Sequence, residues 1–134
     1  MKRAVLYADG ACRGNPGPAG SGAALVNEEG HVVAEAIRFL GNSTNNVAEY
    51  TALIIGLEEA RHHDVADLEV RMDSKLVVEQ MNGRWRVRDA KLIPLAIKAR
   101  ELVAQFPKTR IRHVPRVENA IADALANRAI DEGA

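Results

Sequence analysis

The chain has 134 residues, of which 47% are hydrophobic and 27% charged, and its formal net charge is zero. This length and composition fit one globular domain with a hydrophobic core, and they exclude a disordered or repetitive chain. No apolar run approaches the roughly 20 residues needed to cross a bilayer, so no membrane-spanning segment is expected.

The first third of the chain predicts three antiparallel strands, at residues 3–9, 20–27 and 31–39. A run dense in Gly, Pro and Asn over residues 10–18 separates the first two strands, and Glu28, Glu29 and Gly30 form the next turn. Short strands joined by such turn residues are typical of a hairpin meander.

After residue 45 the hydrophobic period becomes that of a helix. Residues 46–62 carry apolar side chains at helical spacing, with Ser43, Thr44 and Asn45 before them as candidate caps. The remaining elements are a strand at 68–73, helices at 74–81 and 91–106, a strand at 110–114 and a final helix at 117–131. The order βββαβααβα predicts an α/β fold. Its five-stranded mixed sheet has three antiparallel strands followed by parallel strands, with helices on both faces.

Basic residues are concentrated between Arg84 and Arg116, where ten Lys or Arg residues accompany only two acidic ones. The rest of the chain carries the opposite net charge. Such a segment either binds phosphates or forms a solvated helix face, and charge alone favours neither.

Four carboxylates occupy positions that suit a metal site. Asp9 and Asp73 end two predicted strands, Glu49 lies in the first turn of the first helix, and Asp123 lies in the last helix. Each has an ordinary structural explanation when taken alone: a helix N-terminus for Glu49, a cap for Asp73, the surface for Asp123. Together they would repel one another unless a cation neutralises them, and oxygen-only ligands favour Mg²⁺ or Mn²⁺ over zinc.

Four motifs in this order carry a resemblance to a known family: residues 9–17, 44–50, 72–77 and 113–127. In them the chain resembles bacterial and archaeal type 1 ribonucleases H from end to end. The resemblance implies a ribonuclease H-like fold and an endonuclease that cuts the RNA strand of RNA–DNA hybrids. It further implies 5′-phosphate and 3′-hydroxyl products and two Mg²⁺ ions, with Mn²⁺ as a substitute. The metal-binding catalytic residues would be Asp9, Glu49, Asp73 and Asp123.

The resemblance also implies auxiliary and substrate-binding residues. His113 and Arg116 are alternative candidates for an auxiliary catalytic role, although a histidine at a strand end is often only packed and hydrogen-bonded. The substrate-binding candidates are Gly10, Cys12, Asn15, Thr44, Asn45, Asn46, Lys75 and Trp85. Asn45 and Asn46 would also serve as helix caps, and Trp85 would equally suit a core anchor. The basic protrusion of the best-known bacterial members is absent or reduced, which predicts weaker, salt-dependent binding.

Three other functions are compatible with parts of the sequence. A transposase, resolvase or 3′-exonuclease would share the fold, and a catalytically silent module would bind the hybrid without cutting it. A nucleophilic Cys12 would need a nearby base, which the sequence does not supply. The sequence leaves open whether double-stranded RNA is also cut. We expect a single domain, residues 1–134, that is a soluble cytoplasmic monomer, since one cysteine fits a reducing interior.

Overall fold

A computed structural model describes residues 1–133 as five strands and four helices around one sheet. The strands are β1 (Arg3–Cys12), β2 (Gly17–Asn27), β3 (Val32–Ser43), β4 (Asp67–Met72) and β5 (Lys108–His113). The helices are α1 (Asn45–His62), α2 (Lys75–Met81), α3 (Ile93–Val103) and α4 (Ala120–Gly133), with a 3₁₀ turn at Arg116–Asn119. Within residues 1–133, no helix is long and apolar enough to span a membrane.

The sheet has the strand order β3-β2-β1-β4-β5. β2 is antiparallel to both β1 and β3, whereas β4 is parallel to both β1 and β5. The predicted mixed sheet is therefore confirmed. Its parallel core makes β1 and β4 neighbours, so their carboxyl ends meet at one edge.

Helices cover both faces of this sheet, as predicted. On one face α1 packs so closely that a Cβ on Gly56 would lie 2.9 Å from the Leu6 side chain, and α2 and α3 share that core. On the other face α4 lies directly on β2, where a Cβ on Gly22 would lie 2.4 Å from the backbone nitrogen of Ala126. Small residues at these crossings allow the helices to approach the backbone of the strands.

The β1–β2 hairpin is longer than the sequence predicted. β1 continues through Gly10 to Cys12, and Cys12 pairs with Ala19 of β2. Gly10 serves a close approach instead of a turn, because a Cβ there would lie 2.4 Å from the backbone of Ala48. The prediction of a turn at Gly10, which rested on the Gly, Pro and Asn residues around it, is therefore wrong.

Helix starts also differ in detail from the prediction. Glu49 lies in the second turn of α1, since this helix begins at Asn45. The caps are hydroxyls: Thr44 Oγ1 accepts from the Val47 N–H, and Ser74 Oγ accepts from the Val77 N–H. Asp73 is therefore not the cap of α2, and its carboxylate is free for another role.

Candidate active site

Three carboxylates converge where β1 and β4 end. Asp9 lies on β1, Asp73 follows β4 directly, and Glu49 reaches the same point from α1. One oxygen from each lies within 4.8 Å of the other two. Asp9 and Glu49 are buried and Asp73 is half-buried, so three acidic groups share a space with little water to separate their charges.

Backbone geometry holds Glu49 in this cluster. Because Gly10 has no side chain, α1 packs against the end of β1. The Gly10 N–H donates a hydrogen bond to Glu49 Oε1. The strand that carries Asp9 therefore also fixes the carboxylate that faces Asp9.

The electrostatics of the cluster favour a bound proton or a bound cation. Burial raises the pKa of Asp9 to about 10, and the hydrogen bonds and charges of the neighbouring carboxyl groups add to the rise. Burial also raises the pKa of Glu49, although hydrogen bonds from Asp9 and the Gly10 N–H oppose this effect. Two buried carboxyl groups thus resist full ionisation.

Asp123 and Arg116 line the same site as the carboxylate cluster. Arg116 Nη2 lies 3.8 Å from Asp123 Oδ1, and the Arg116 side chain is largely exposed. The Asn127 side chain donates to the backbone oxygen of Asp123 at 3.0 Å, which ties that turn of α4 together. Asp9, Glu49, Asp73, Asp123 and Arg116 all line one open cavity of about 490 Å³.

His113 does not line this cavity. It pairs with Met72 across β4 and β5, and strand alternation puts it on the sheet face opposite to that of Asp9. The residue is exposed, and its side chain has no hydrogen bond with any of residues 1–133, so the alternative of a packed, hydrogen-bonded histidine is wrong. Of the two auxiliary candidates, Arg116 is the one that lies within the site.

The substrate-binding candidates fall into three groups: those that line the cavity, one in a neighbouring hollow, and three outside both. Gly10, Cys12, Asn15 and Asn45 line the cavity, whereas Thr44 lines a neighbouring hollow with Lys91. Asn15 Oδ1 accepts a hydrogen bond from the Asn45 N–H at 3.1 Å and thereby joins the first loop to α1.

Asn46, Lys75 and Trp85 lie outside both cavities. Trp85 is 44% exposed, so the alternative of a core anchor is wrong. The Lys75 ammonium lies 5.9 Å from the centre of the Trp85 ring, and this cation–π contact connects the two candidates.

Asn119 is a site residue that the sequence analysis missed. Its side chain is fully buried, and its Nδ2 donates to the Ala8 carbonyl at 2.9 Å and to Asp73 Oδ1 at 2.7 Å. One amide therefore bridges the residue before Asp9 and the carboxylate of Asp73. The sequence does place Asn119 four residues before Asp123, and this spacing of one helical turn puts the two residues on the same side of a helix.

Comparison with known proteins places this site in a family. The family model described as "Reverse transcriptase-like" matches residues 7–129. The crystal structure of RNase H1 from Halobacterium salinarum is 48% identical, covers 97% of this chain and has a TM-score of 0.92. LC11-RNase H1, isolated from compost and solved in complex with an RNA/DNA hybrid, is 41% identical over 97% of this chain and 98% of its own, with a TM-score of 0.91. The chain belongs to the type 1 ribonuclease H family.

Some relatives of this chain are longer proteins. The bifunctional protein Rv2228c of Mycobacterium tuberculosis is 47% identical over 98% of this chain, which spans 36% of that protein. The chain spans 65% of the ribonuclease HI of Halobacterium salinarum. The structure of the N-terminal RNase H domain of Rv2228c has a TM-score of 0.95.

The donor set of this cluster fits a hard divalent cation. Asp9, Glu49 and Asp73 offer only oxygen, and no nitrogen or sulfur ligand joins their cluster among residues 1–133. Carboxylate oxygens are the ligands that Mg²⁺ and Mn²⁺ prefer. A bound cation would also relieve the repulsion that adds to the effect of burial on the pKa of Asp9.

Without metal, the stability of the protein should fall as the pH rises. The folded pKa of Asp9 is about 10, well above its value in an unfolded chain, so the contribution of this group is complete below about pH 4. It is lost between about pH 4 and 10, at no more than about 1.4 kcal/mol per pH unit for one proton. Urea denaturation in chelator measures this effect. Between pH 5 and 8, the free energy of unfolding should fall less for Asp9→Asn than for wild type. The exposed control Asp64→Asn should follow wild type, and an equal pH dependence in all three would contradict the assignment.

Asn119→Ala should impair the site more than the fold. Without the amide, Asp73 loses its fixed orientation, and we expect the concentration of Mg²⁺ that half-saturates thermal stabilisation to rise by about tenfold. The exposed control Asn82→Ala removes a hydrogen bond to the Ile111 carbonyl and should leave that concentration unchanged. A normal Mg²⁺ response in Asn119→Ala would show that the amide serves stability only.

Proposed function

We propose that this chain is an endonuclease that hydrolyses the RNA strand of RNA–DNA hybrids. The observation that carries the proposal is the cluster of Asp9, Glu49 and Asp73, with Asp123 across the same cavity. These four carboxylates stand at the positions that the type 1 ribonuclease H motifs assign to catalysis. A silent binding module would have no need to keep so costly a group of buried acids together.

In this proposal the four carboxylates hold two Mg²⁺ ions, for which Mn²⁺ would substitute. Such a pair supplies an activated water and stabilises the leaving oxygen, giving 5′-phosphate and 3′-hydroxyl ends. Asn119 keeps Asp73 oriented through its 2.7 Å hydrogen bond. Arg116, whose side chain is 79% exposed beside Asp123, is free to contact a phosphate of the RNA strand. His113 stays a weaker candidate for an auxiliary role.

Recognition of the RNA strand would use the loop that lines the cavity. The side chains of Asn15 and Asn45 both donate and accept hydrogen bonds, as a ribose 2′-hydroxyl requires. Gly10 and Cys12 would offer backbone groups where the chain lies closest to the minor groove. The relative LC11-RNase H1 was solved with an RNA/DNA hybrid, which supports this substrate class.

The DNA strand would lie along α1 and the segment after α2. Thr44 and Lys91 share a hollow beside the cavity, where a hydroxyl and an ammonium suit a phosphate. Asn46 lies in the first turn of α1, next to this hollow. Trp85, with Lys75 over its ring, presents an exposed aromatic surface on which a sugar or base would stack.

A buried polar chain anchors that segment to α1. The Tyr50 hydroxyl donates to Gln80 Oε1 at 2.6 Å, and the Gln80 amide donates to the Arg86 carbonyl at 3.3 Å. Burial raises the pKa of Tyr50 to about 12, so the phenol stays a donor. The segment that carries Trp85 and Arg86 is thus fixed relative to Glu49, which precedes Tyr50.

Three further aspects of the proposal concern the chain as a whole. Residues 1–134 would act as one domain, which the continuous sheet and core support. The protein would act as a monomer in the cytoplasm, where a lone cysteine stays reduced. Double-stranded RNA would be a second substrate only if the site accepts a ribose strand in place of the DNA strand.

A cleavage assay tests the proposal. A labelled RNA–DNA hybrid is compared with single-stranded RNA, duplex RNA and duplex DNA, each with Mg²⁺, with Mn²⁺ and with chelator. Wild type should cut the RNA strand of the hybrid only when metal is present. Asp73→Asn, which keeps the shape of the side chain, should lower kcat by more than about a hundredfold, because the loss of a metal ligand costs several kcal/mol.

The matched control is Asp64→Asn, a change of the same type at an exposed residue in the turn after α1. It should cut at the wild-type rate. Binding of the hybrid without cleavage in either metal would refute the nuclease and favour the silent binding module. Equal cleavage of duplex RNA would keep the mechanism and broaden the substrate class.

A further inference from the structure

The sheet face that α4 leaves open carries an array of basic side chains beside the active site. α4 packs mainly on β1, β2 and β3, while the same face of β4 and β5 carries charged side chains. We call this array the basic face. Its residues are Arg3, Tyr7, Asp67, Glu69, Arg71, Lys108, Arg110 and Arg112.

Strand register brings these residues together from three parts of the sequence. Tyr7 pairs with Arg71 and Arg71 with Arg112, so the three form one row across the sheet. The next rows place Glu69 beside Arg110 and Asp67 beside Lys108. Five cations thus share the face with two acids, and even with Glu28 at the rim the face keeps a net positive charge.

Acidic side chains hold the arginines of this face in place but are too few to neutralise their charge. Glu69 Oε2 accepts from Arg71 Nε at 2.6 Å and from Arg112 Nη1 at 3.3 Å, and Arg110 Nη2 lies 3.6 Å from Glu69 Oε1. One carboxylate therefore faces three guanidinium groups. The side chains of Arg110 and Arg112 remain 46% and 58% exposed.

Lys108, Arg110 and Arg112 occupy every second position of β5. At about 3.3 Å per residue they form a line of cations about 13 Å long. A line of this length suits an extended polyanion better than a single phosphate ion. On β1, Tyr7 is two residues from Asp9 and on the same face, so the array begins about 6.6 Å from the carboxylate cluster.

We propose that the basic face binds the phosphate backbone of the nucleic-acid strand that continues beyond the cleavage site. This inference rests on the proposed function and adds a second contact region to it. A strand held there would help to replace the affinity that other family members obtain from a basic protrusion. The contact would be electrostatic and independent of base sequence.

The test compares a short blunt hybrid with the same hybrid extended by about 10 single-stranded nucleotides at either end, since each phosphate contact adds salt-dependent affinity. Wild type should cut an extended hybrid with the higher kcat/KM. In Lys108→Gln/Arg112→Gln, the ratio of extended to short kcat/KM should fall by about tenfold. The slope of log affinity against log salt should fall by about 1 to 2. Lys108→Glu/Arg112→Glu should lower the ratio further.

The matched control is Arg38→Gln/Lys98→Gln, which removes two exposed positive charges from β3 and α3. It should keep the wild-type ratio. Binding of both hybrids is also measured in chelator, so that the face is tested even if no cleavage occurs. An extended hybrid that gains nothing in wild type, or an unchanged ratio and affinity in the double variant, would refute the basic face. Continued cleavage of the short hybrid would then leave the proposed function standing.

Discussion

The fold of this molecule has to hold three carboxyl groups together against their mutual repulsion. Asp9, Glu49 and Asp73 lie within 4.8 Å of one another, and two of them are buried. Left to themselves they would separate or take up protons, and burial together with the neighbouring carboxyl groups raises the pKa of Asp9 accordingly. The surrounding fold has to hold them in place until a cation relieves the repulsion.

The fold does this by bringing rigid backbone from three directions. The parallel pairing of β1 and β4 sets Asp9 beside Asp73, and the close approach of α1 at Gly10 sets Glu49 against both. On the far side the buried Asn119 amide links the end of β1 to Asp73. Strands and helices fix such a site more firmly than loops do, which suits catalysis that depends on position.

Much of this arrangement was predictable from the sequence, because local periodicity decides the elements and the strand-end acids mark the edge. The remainder depends on non-local pairing. Composition predicts a turn at Gly10 because it cannot distinguish a turn glycine from one that allows a helix to approach. Asn119 was missed because its partners are distant in sequence. The basic face joins residues 3, 71 and 112, which only the strand register places together.

We expect the carboxylate cluster to hold two divalent cations when the substrate is bound. Anomalous diffraction from crystals of the wild-type chain, grown with Mn²⁺ and a non-hydrolysable RNA–DNA hybrid, tests it. Two Mn²⁺ peaks bounded by oxygens of Asp9, Glu49, Asp73 and Asp123, next to a phosphate of the RNA strand, would agree with the account. A hybrid seated at the cavity with no Mn²⁺ among these carboxylates would contradict it.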